Sequence, residues 1–151
     1  MTNEDLKIKI AEILADAAFE EGTEWLTVSV EPKMFKTFAQ QLYSTAGLNF
    51  DYLFCLTCID WKTHFTNVYH FTSTIHRHTI VVKSKLDRNN PEIETLSDIW
   101  RTAEFHEREQ YEMFGVKFLK HPDLRRLILE DDFKGFPLRK DFEDPINMIK
   151  L

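Results

Sequence analysis

Three consecutive runs dominate what this chain can fold into. Residues 49–60, 67–74 and 76–85 are rich in Phe, Tyr, Val, Ile and Thr, and only short breaks separate them. Such side chains favour a pleated, half-buried surface. A parallel return needs a crossover of a dozen residues or more, so strands joined this closely must alternate in direction. The three runs therefore predict an antiparallel meander. Upstream, Leu26, Val28 and Val30 alternate with Thr27 and Ser29, the period-two pattern of one further strand.

Helical period flanks these strands. Leu6, Ile10, Ile13, Leu14 and Ala17 share one face of residues 4–21, with Thr2 and Asp5 spaced as a capping box and Gly22 where a helix is commonly stopped. Pro32 opens a second helix that turns Phe35, Phe38, Ala39 and Leu42 inward and stops near Gly47. After Asn89-Asn90-Pro91, residues 93–114 read as helix in one or two pieces ending at Gly115. The order is α-β-α-β-β-β-α, and the helix joining the first two strands predicts that they run parallel. The fold class is α+β: a two-layer domain with a mixed, mostly antiparallel sheet packed against helices. Residues 1–118 carry this domain. Beyond Phe118 the periodicity stops, Pro122, Pro137 and Pro145 punctuate the chain, and residues 119–151 read as an extended, irregular C-terminal docking segment.

Charge and glycine usage exclude several functions. Residues 1–60 carry 4 Lys+Arg against 10 Asp+Glu, which accounts for the whole net charge of −6 and argues against a nucleic-acid binder. Gly22, Gly47, Gly115 and Gly135 are far apart, so neither familiar phosphate-binding loop can be written. No stretch reaches the ~20 apolar residues of a membrane span. The acidic N-terminus lacks signal-peptide features, and with only two cysteines the expected location is cytoplasmic.

The residues able to carry chemistry mostly admit a structural reading. Cys55 and Cys58 form a C-x-x-C inside the apolar run YLFCLTCID, where burial suppresses the thiolate, and on a strand their spacing puts the sulfurs on opposite faces. His64, His70, His76 and His78 could bind zinc or copper but lack a matching carboxylate motif; a solvated strand face is favoured. Glu104, Glu107, Glu109 and Glu112 crowd one helix, and His106 with Glu109 reverses the order of the di-iron helical motif. Neither catalytic, cofactor-binding nor metal-binding residues are expected.

The last third is the most distinctive text. Around Gly115, Tyr111, Met113, Phe114 and Phe118 line a helix end; His121-Pro122-Asp123 then fixes a turn from which Arg125 and Arg126 emerge, and Arg139 with Lys140 repeats the theme. Guanidinium forks suit bidentate pairing at an interface, with another subunit or with the chain's own domain.

Here the chain resembles the family of the 30 kDa, C-type subunit of respiratory complex I, NADH:quinone oxidoreductase. The likeness lies in Glu107-Arg108-Glu109, Tyr111, Met113-Phe114-Gly115, Phe118 and His121-Pro122-Asp123-Leu124-Arg125-Arg126, then Gly135 and Pro137-Leu138-Arg139-Lys140-Asp141-Phe142. Weaker likeness reaches back through Ile59-Asp60-Trp61. Glu112 stands where the family usually has Asp, Lys120 where it has Gly, and Phe136 where it has His. The resemblance implies a non-catalytic peripheral-arm subunit that braces the quinone-site junction. Its partners within complex I would resemble the 49 kDa, D-type subunit and the B-type, terminal-cluster subunit. Its interface would comprise Glu107, Arg108, Glu109, His121, Pro122, Asp123, Leu124, Arg125, Arg126, Pro137, Leu138, Arg139, Lys140 and Asp141. FMN, iron–sulfur clusters and quinone would belong to other subunits. The complex alone would hold this chain to the cytoplasmic side of the cell membrane. An equivalent subunit of a related membrane-bound hydrogenase complex is the second reading, and an independent metal-dependent enzyme the third.

Overall fold

A computed structural model describes residues 1–149. Helix α1 (Asn3–Ile13) precedes a short strand β1 (Ala18–Glu20) and strand β2 (Leu26–Ser29). Helix α2 (Pro32–Ser44) leads to the meander β3 (Tyr52–Asp60), β4 (His64–Ser73) and β5 (His78–Asp87). Strand β6 (Glu92–Glu94), helix α3 (Ala103–Phe114) and strand β7 (Lys117–Leu119) follow. The main sheet has the order β1-β2-β5-β4-β3, with β2 parallel to β5 and its other neighbours antiparallel. This is the α+β class and the meander that the sequence predicts.

The inner face of the sheet is a set of cross-strand rows. Leu53, Phe71, Ile80 and Leu26 form one row, and Leu56, Tyr69, Val82 and Val28 the next. All are buried, and they join one core with Leu6 and Ile10 of α1, with Phe35, Phe38, Ala39 and Leu42 of α2, and with Ala103 and Phe114 of α3. A bulge at Phe54 lets Leu53 and Leu56, three residues apart, both point inward. The third row, Cys58, Asn67 and Ser84, is small or polar; Ser84 donates to the Val30 carbonyl at 2.9 Å.

Two boundaries and one strand pairing differ from the sequence expectation. The first helix stops at Ile13 instead of continuing to residue 21. Ala18–Glu20 instead pairs antiparallel with β2 and covers its backbone edge, and Gly22, at φ +76°, lies in the hairpin between them. Edge pairing here overrides helix periodicity. The Thr2 and Asp5 capping box forms as expected: Thr2 N–H donates to Asp5 at 3.1 Å and Asp5 N–H to Thr2 Oγ1 at 3.2 Å. Within 93–114 only Ala103–Phe114 is α-helix; Glu92–Glu94 pairs parallel with Lys117–Leu119, with Ile93 opposite Phe118, both buried.

The third difference concerns pairing. Strands β2 and β3 run in the same direction, but β5 and β4 lie between them. The outer edge of β3 and the residues before it are occupied by side chains of the α3 region. Trp100 Nε1 donates to Phe50 O at 2.9 Å, Thr102 Oγ1 to Leu53 O at 2.7 Å and Gln110 Nε2 to Leu56 O at 3.1 Å. With that edge capped, β2 adds to β5.

Gly115 ends α3 at φ +77°. A Cβ there would lie 2.7 Å from the Phe136 ring and 2.8 Å from Arg139 Nη2, whereas one on Gly22, also at positive φ, would meet nothing within 4 Å. Gly115→Ala should therefore lose about 1–3 kcal/mol more stability than Gly22→Ala, because both share the backbone penalty and only one overpacks. Urea denaturation of the two variants measures the difference. Equal losses would contradict this packing.

Candidate functional site

Helix α3 carries the site. Arg108 and Glu112 are one turn apart, so both face the chain that follows β7. Arg108 Nε donates to the Arg125 carbonyl at 3.0 Å, and Nη2 donates to the Arg126 carbonyl at 2.9 Å. Glu112, fully buried, accepts the next three backbone N–H groups, from Leu127 at 2.8 Å and from Ile128 and Leu129 at 2.9 Å. Burial alone would raise the Glu112 pKa; the three N–H groups and the nearby Arg126 outweigh it and hold the carboxyl below its ordinary range. Five consecutive residues of the C-terminal segment are thus gripped through their backbone, while Arg125 and Ile128 remain exposed at the surface.

Glu107, on another face of α3, is also fully buried. It accepts the Leu96 N–H at 2.7 Å and the Thr95 hydroxyl at 2.5 Å, and lies 3.7 Å from His121 Nε2. His121 donates from Nε2 to the Glu104 carbonyl at 3.0 Å and accepts the Asp123 N–H on Nδ1. The turn expected at His121-Pro122-Asp123 is therefore tied to α3 by its histidine. Leu124 packs against the core, and Asp123 pairs with exposed Arg125 at 3.0 Å. Glu109 is half-buried beside Gln110.

A second anchor holds residues 136–141. Arg139 Nε donates to the Phe114 carbonyl at 2.6 Å, and its guanidinium sits over Phe136 at 4.6 Å and Phe65 at 5.1 Å. The Leu138 N–H donates to the Met113 carbonyl at 3.1 Å. Buried Asp60 accepts from Arg88 Nε at 3.0 Å and Nη2 at 2.9 Å, from Lys62 N–H at 2.7 Å and from Lys140 N–H at 2.9 Å. The Arg88 guanidinium holds that carboxyl far below the usual range despite its burial, and Arg88 also meets Asp141 at 2.9 Å. Pro137 is half-buried; Leu138 and Lys140 are exposed. Residues 150 and 151 of the expected docking segment lie outside the described residues.

Sequence reasoning did not assign Asp60, Arg88, Thr95 or Gln110 a part in this arrangement. Apart from Lys62 beside Asp60, the partners they meet in it lie 12 to 80 residues away in the chain, and no local pattern announces such pairs. The other candidates are structural. Cys58 faces the core, where burial and then Asp60 push its thiol up to about 12; Cys55 lies on the opposite face, raised by burial and by Glu109. His78 donates to the Leu48 carbonyl at 2.9 Å and His76 to Asn49 Oδ1 at 3.0 Å. Among the described residues no group of three or more His, Cys, Asp or Glu converges as a metal site.

A family model described as the respiratory-chain NADH dehydrogenase 30 kDa subunit matches residues 28–146. The chain belongs to this family. The match begins within β2, runs through β7 and contains both anchors of the C-terminal segment. A relative in Moorella thermoacetica, the C-type subunit of an NADH-quinone oxidoreductase, is 36% identical over 136 residues, covering 89% of this chain and 90% of the relative. A C/D-type subunit of an NADH-quinone oxidoreductase in Phocaeicola vulgatus is 42% identical over 118 residues, 77% of this chain. The chain spans only 23% of that C/D-type protein and 41% of the C-type relative in Chloroherpeton thalassium. Among solved structures, a chain of the membrane-bound sulfane sulfur reductase, an archaeal respiratory membrane complex, superposes with a TM-score of 0.80 at 26% identity, covering 93% of this chain and 85% of the other. The trypsin-resistant fragment of Nqo5 shares the fold, with a TM-score of 0.68 at 24% identity over 82% of this chain and 100% of the fragment.

Two outcomes test the site. Glu112→Gln should cost about 2 kcal/mol, the scale of hydrogen bonds to a charged group. It should also accelerate hydrogen exchange at Leu127, Ile128 and Leu129 above the amides of the sheet; unchanged exchange there would refute the backbone grip. Burial pushes Glu107 from its ordinary 4.5 up to about 7, against its hydrogen bonds and the nearby Lys36. Between those values the unfolded chain gives up a proton that the folded chain keeps, so this group's stabilisation is complete below pH 4.5 and is lost as pH rises through 7. The full loss is about 3 kcal/mol. Glu107→Gln should flatten the decline seen in urea melts across that window, and a variant with the wild-type slope would contradict it.

Proposed function

We propose that this chain is a non-catalytic subunit of a proton-translocating NADH:quinone oxidoreductase, bracing the junction of the subunits that hold the quinone. The observation that carries the reading is the double anchoring of the C-terminal segment. Arg108, Glu112 and Asp60 spend their polar groups on the segment's backbone, and the segment's own Arg139 binds the Phe114 carbonyl of α3, so its exposed tips can meet a partner. Ile128, 72% exposed, and Leu138, 57% exposed, are the apolar tips of the two anchored stretches. Anchoring removes in advance the ordering cost that a loose tail would meet on binding.

The partners we infer resemble the 49 kDa, D-type subunit and the B-type, terminal-cluster subunit. Support for the first comes from Phocaeicola vulgatus and Bacteroides thetaiotaomicron, whose relatives carry the joint C/D designation. FMN, the iron–sulfur clusters and quinone belong to other subunits in this reading. Cys55 and Cys58 lie on opposite faces of β3 and cannot converge on one cluster, which ordinarily takes four thiolates. No helix among the described residues is long and apolar enough to cross a membrane. Attachment to the cytoplasmic side of the membrane, as a peripheral member, would come through the assembled complex.

A second reading, the equivalent subunit of a related membrane complex, has the sulfane sulfur reductase likeness in its favour. One experiment addresses both. The tagged chain, purified with its complex from host membranes, should bring down the 49 kDa-type and terminal-cluster subunits and support NADH-dependent quinone reduction. Sulfane sulfur reduction without quinone reduction would favour the second reading. Ile128→Asp with Leu138→Asp should leave the isolated chain's stability within about 0.5 kcal/mol, as exposed positions do, yet reduce the yield of intact complex. Full assembly of that variant would overturn the bracing role.

A further inference from the structure

The helices and the C-terminal segment leave one face of the main sheet open. On it, Ile59, Thr66 and Lys85 form one cross-strand row and Thr57, Val68, Lys83 and Ser29 the next. A trough of about 640 Å³ is lined by Ile59, Thr66 and Lys85 of the first row and by Lys83 and Ser29 at the end of the second, while Val68 is buried beside it. Trp61, on the β3–β4 turn, and Met34, on α2, both line it and are 52% and 51% exposed. Isolated surface hydrophobics need no explanation, but two large ones lining a single concavity with Ile59 and Val30 do.

The charges of the trough are divided. Lys83 is neutralised by Glu20 at 2.6 Å. Lys85, Asp16 and Glu31 also line it, and none of the three has an ion-pair partner among the described residues. Asp16 lies between α1 and β1 and Glu31 stands at the N-cap position of α2 with no capping bond from its side chain, whereas Lys85 belongs to the row of Ile59 and Thr66. The surface therefore offers an uncompensated cation and two uncompensated anions around an apolar floor.

We propose that this trough is a second docking surface, separate from the C-terminal segment, and that it takes an amphipathic helix of a partner subunit with a carboxylate over Lys85 and a basic residue over Asp16 and Glu31. A helix fits because sheets are buried by layers, and the inner layer is already filled. Strand addition is disfavoured at both edges: β1 is only three residues long, and side chains of the α3 region cap β3. A helix about 10 Å across suits a face whose five strands span roughly 19 Å. The divided charges would fix the helix direction.

The proposal rests on the reading that this chain works inside a complex, and the test separates the two. The complex purified through the tagged chain is treated with a carbodiimide, which joins a lysine amine directly to a touching carboxylate, and cross-linked peptides are identified by mass spectrometry. In parallel, hydroxyl-radical oxidation of Trp61 and Met34 is compared between the complex and the isolated chain. The expected results are a Lys85 link to an Asp or Glu in a helical segment of another subunit and about ten-fold slower oxidation in the complex, since interface cores exclude water. Oxidation at the isolated-chain rate, or Lys85 linked only to this chain's own carboxylates, overturns the proposal while leaving the bracing role standing. A tagged chain that brings down no complex overturns both.

Discussion

The grip of one helix on five peptide units organises the second half of this protein. A segment without helix or strand leaves its N–H and C=O groups unpaired, and burying them unpaired costs more than most side-chain contacts return. Helix α3 meets that demand with complementary chemistry. The guanidinium of Arg108 takes two carbonyls, and one turn later the carboxylate of Glu112 takes three N–H groups. Backbone is recognised here as a ligand would be. Side-chain identity along the gripped stretch is left open to other demands, since none of these five bonds uses a side chain of residues 125–129.

The buried acids of the protein differ in character because their donors differ. Glu112 and Asp60 each collect several N–H or guanidinium donors, which favour the ionised form in spite of burial. Glu107 has one N–H and one hydroxyl, too few to offset its desolvation. Three carboxyl groups within one small domain thus hold different protonation tendencies, set by the number of donors that the local backbone can supply.

Much of the fold was legible because periodicity is local. The inward set of α2, the meander, the Thr2 capping box and the stop at Gly115 each follow from residues within a few positions of one another. What the sequence did not disclose depends on edges. Whether Ala18–Glu20 continues a helix or becomes a strand is decided by the edge of β2 across a hairpin, and the seat of β2 beside β5 by side chains of the α3 region over β3, far away in the chain. The candidate site divides in the same way. Its motif residues stand out as text, and the paired arginines suggest side-chain recognition. In the folded chain Arg108, within the motif, binds the carbonyls of both members of that pair, and Arg125 itself remains at the surface. The counterparts Asp60 and Arg88 sit in unremarkable strand ends, and only folding brings them to Lys140 and Asp141.

Asp60 has a consequence for the order in which the molecule is built. Its carboxylate joins the β3–β4 turn at Lys62, the end of β5 at Arg88 and the C-terminal segment at Lys140, residues separated from it by 2, 28 and 80 positions. Closing so long a loop repays its entropy only when the receiving site already exists. The receiving site needs the whole meander, since Arg88 reaches Asp60 only after β5 has paired with β4. Residues 136–141 can therefore seat themselves only on a finished sheet, and the surface they present is a certificate of completed folding. A nascent or misregistered chain would lack that surface.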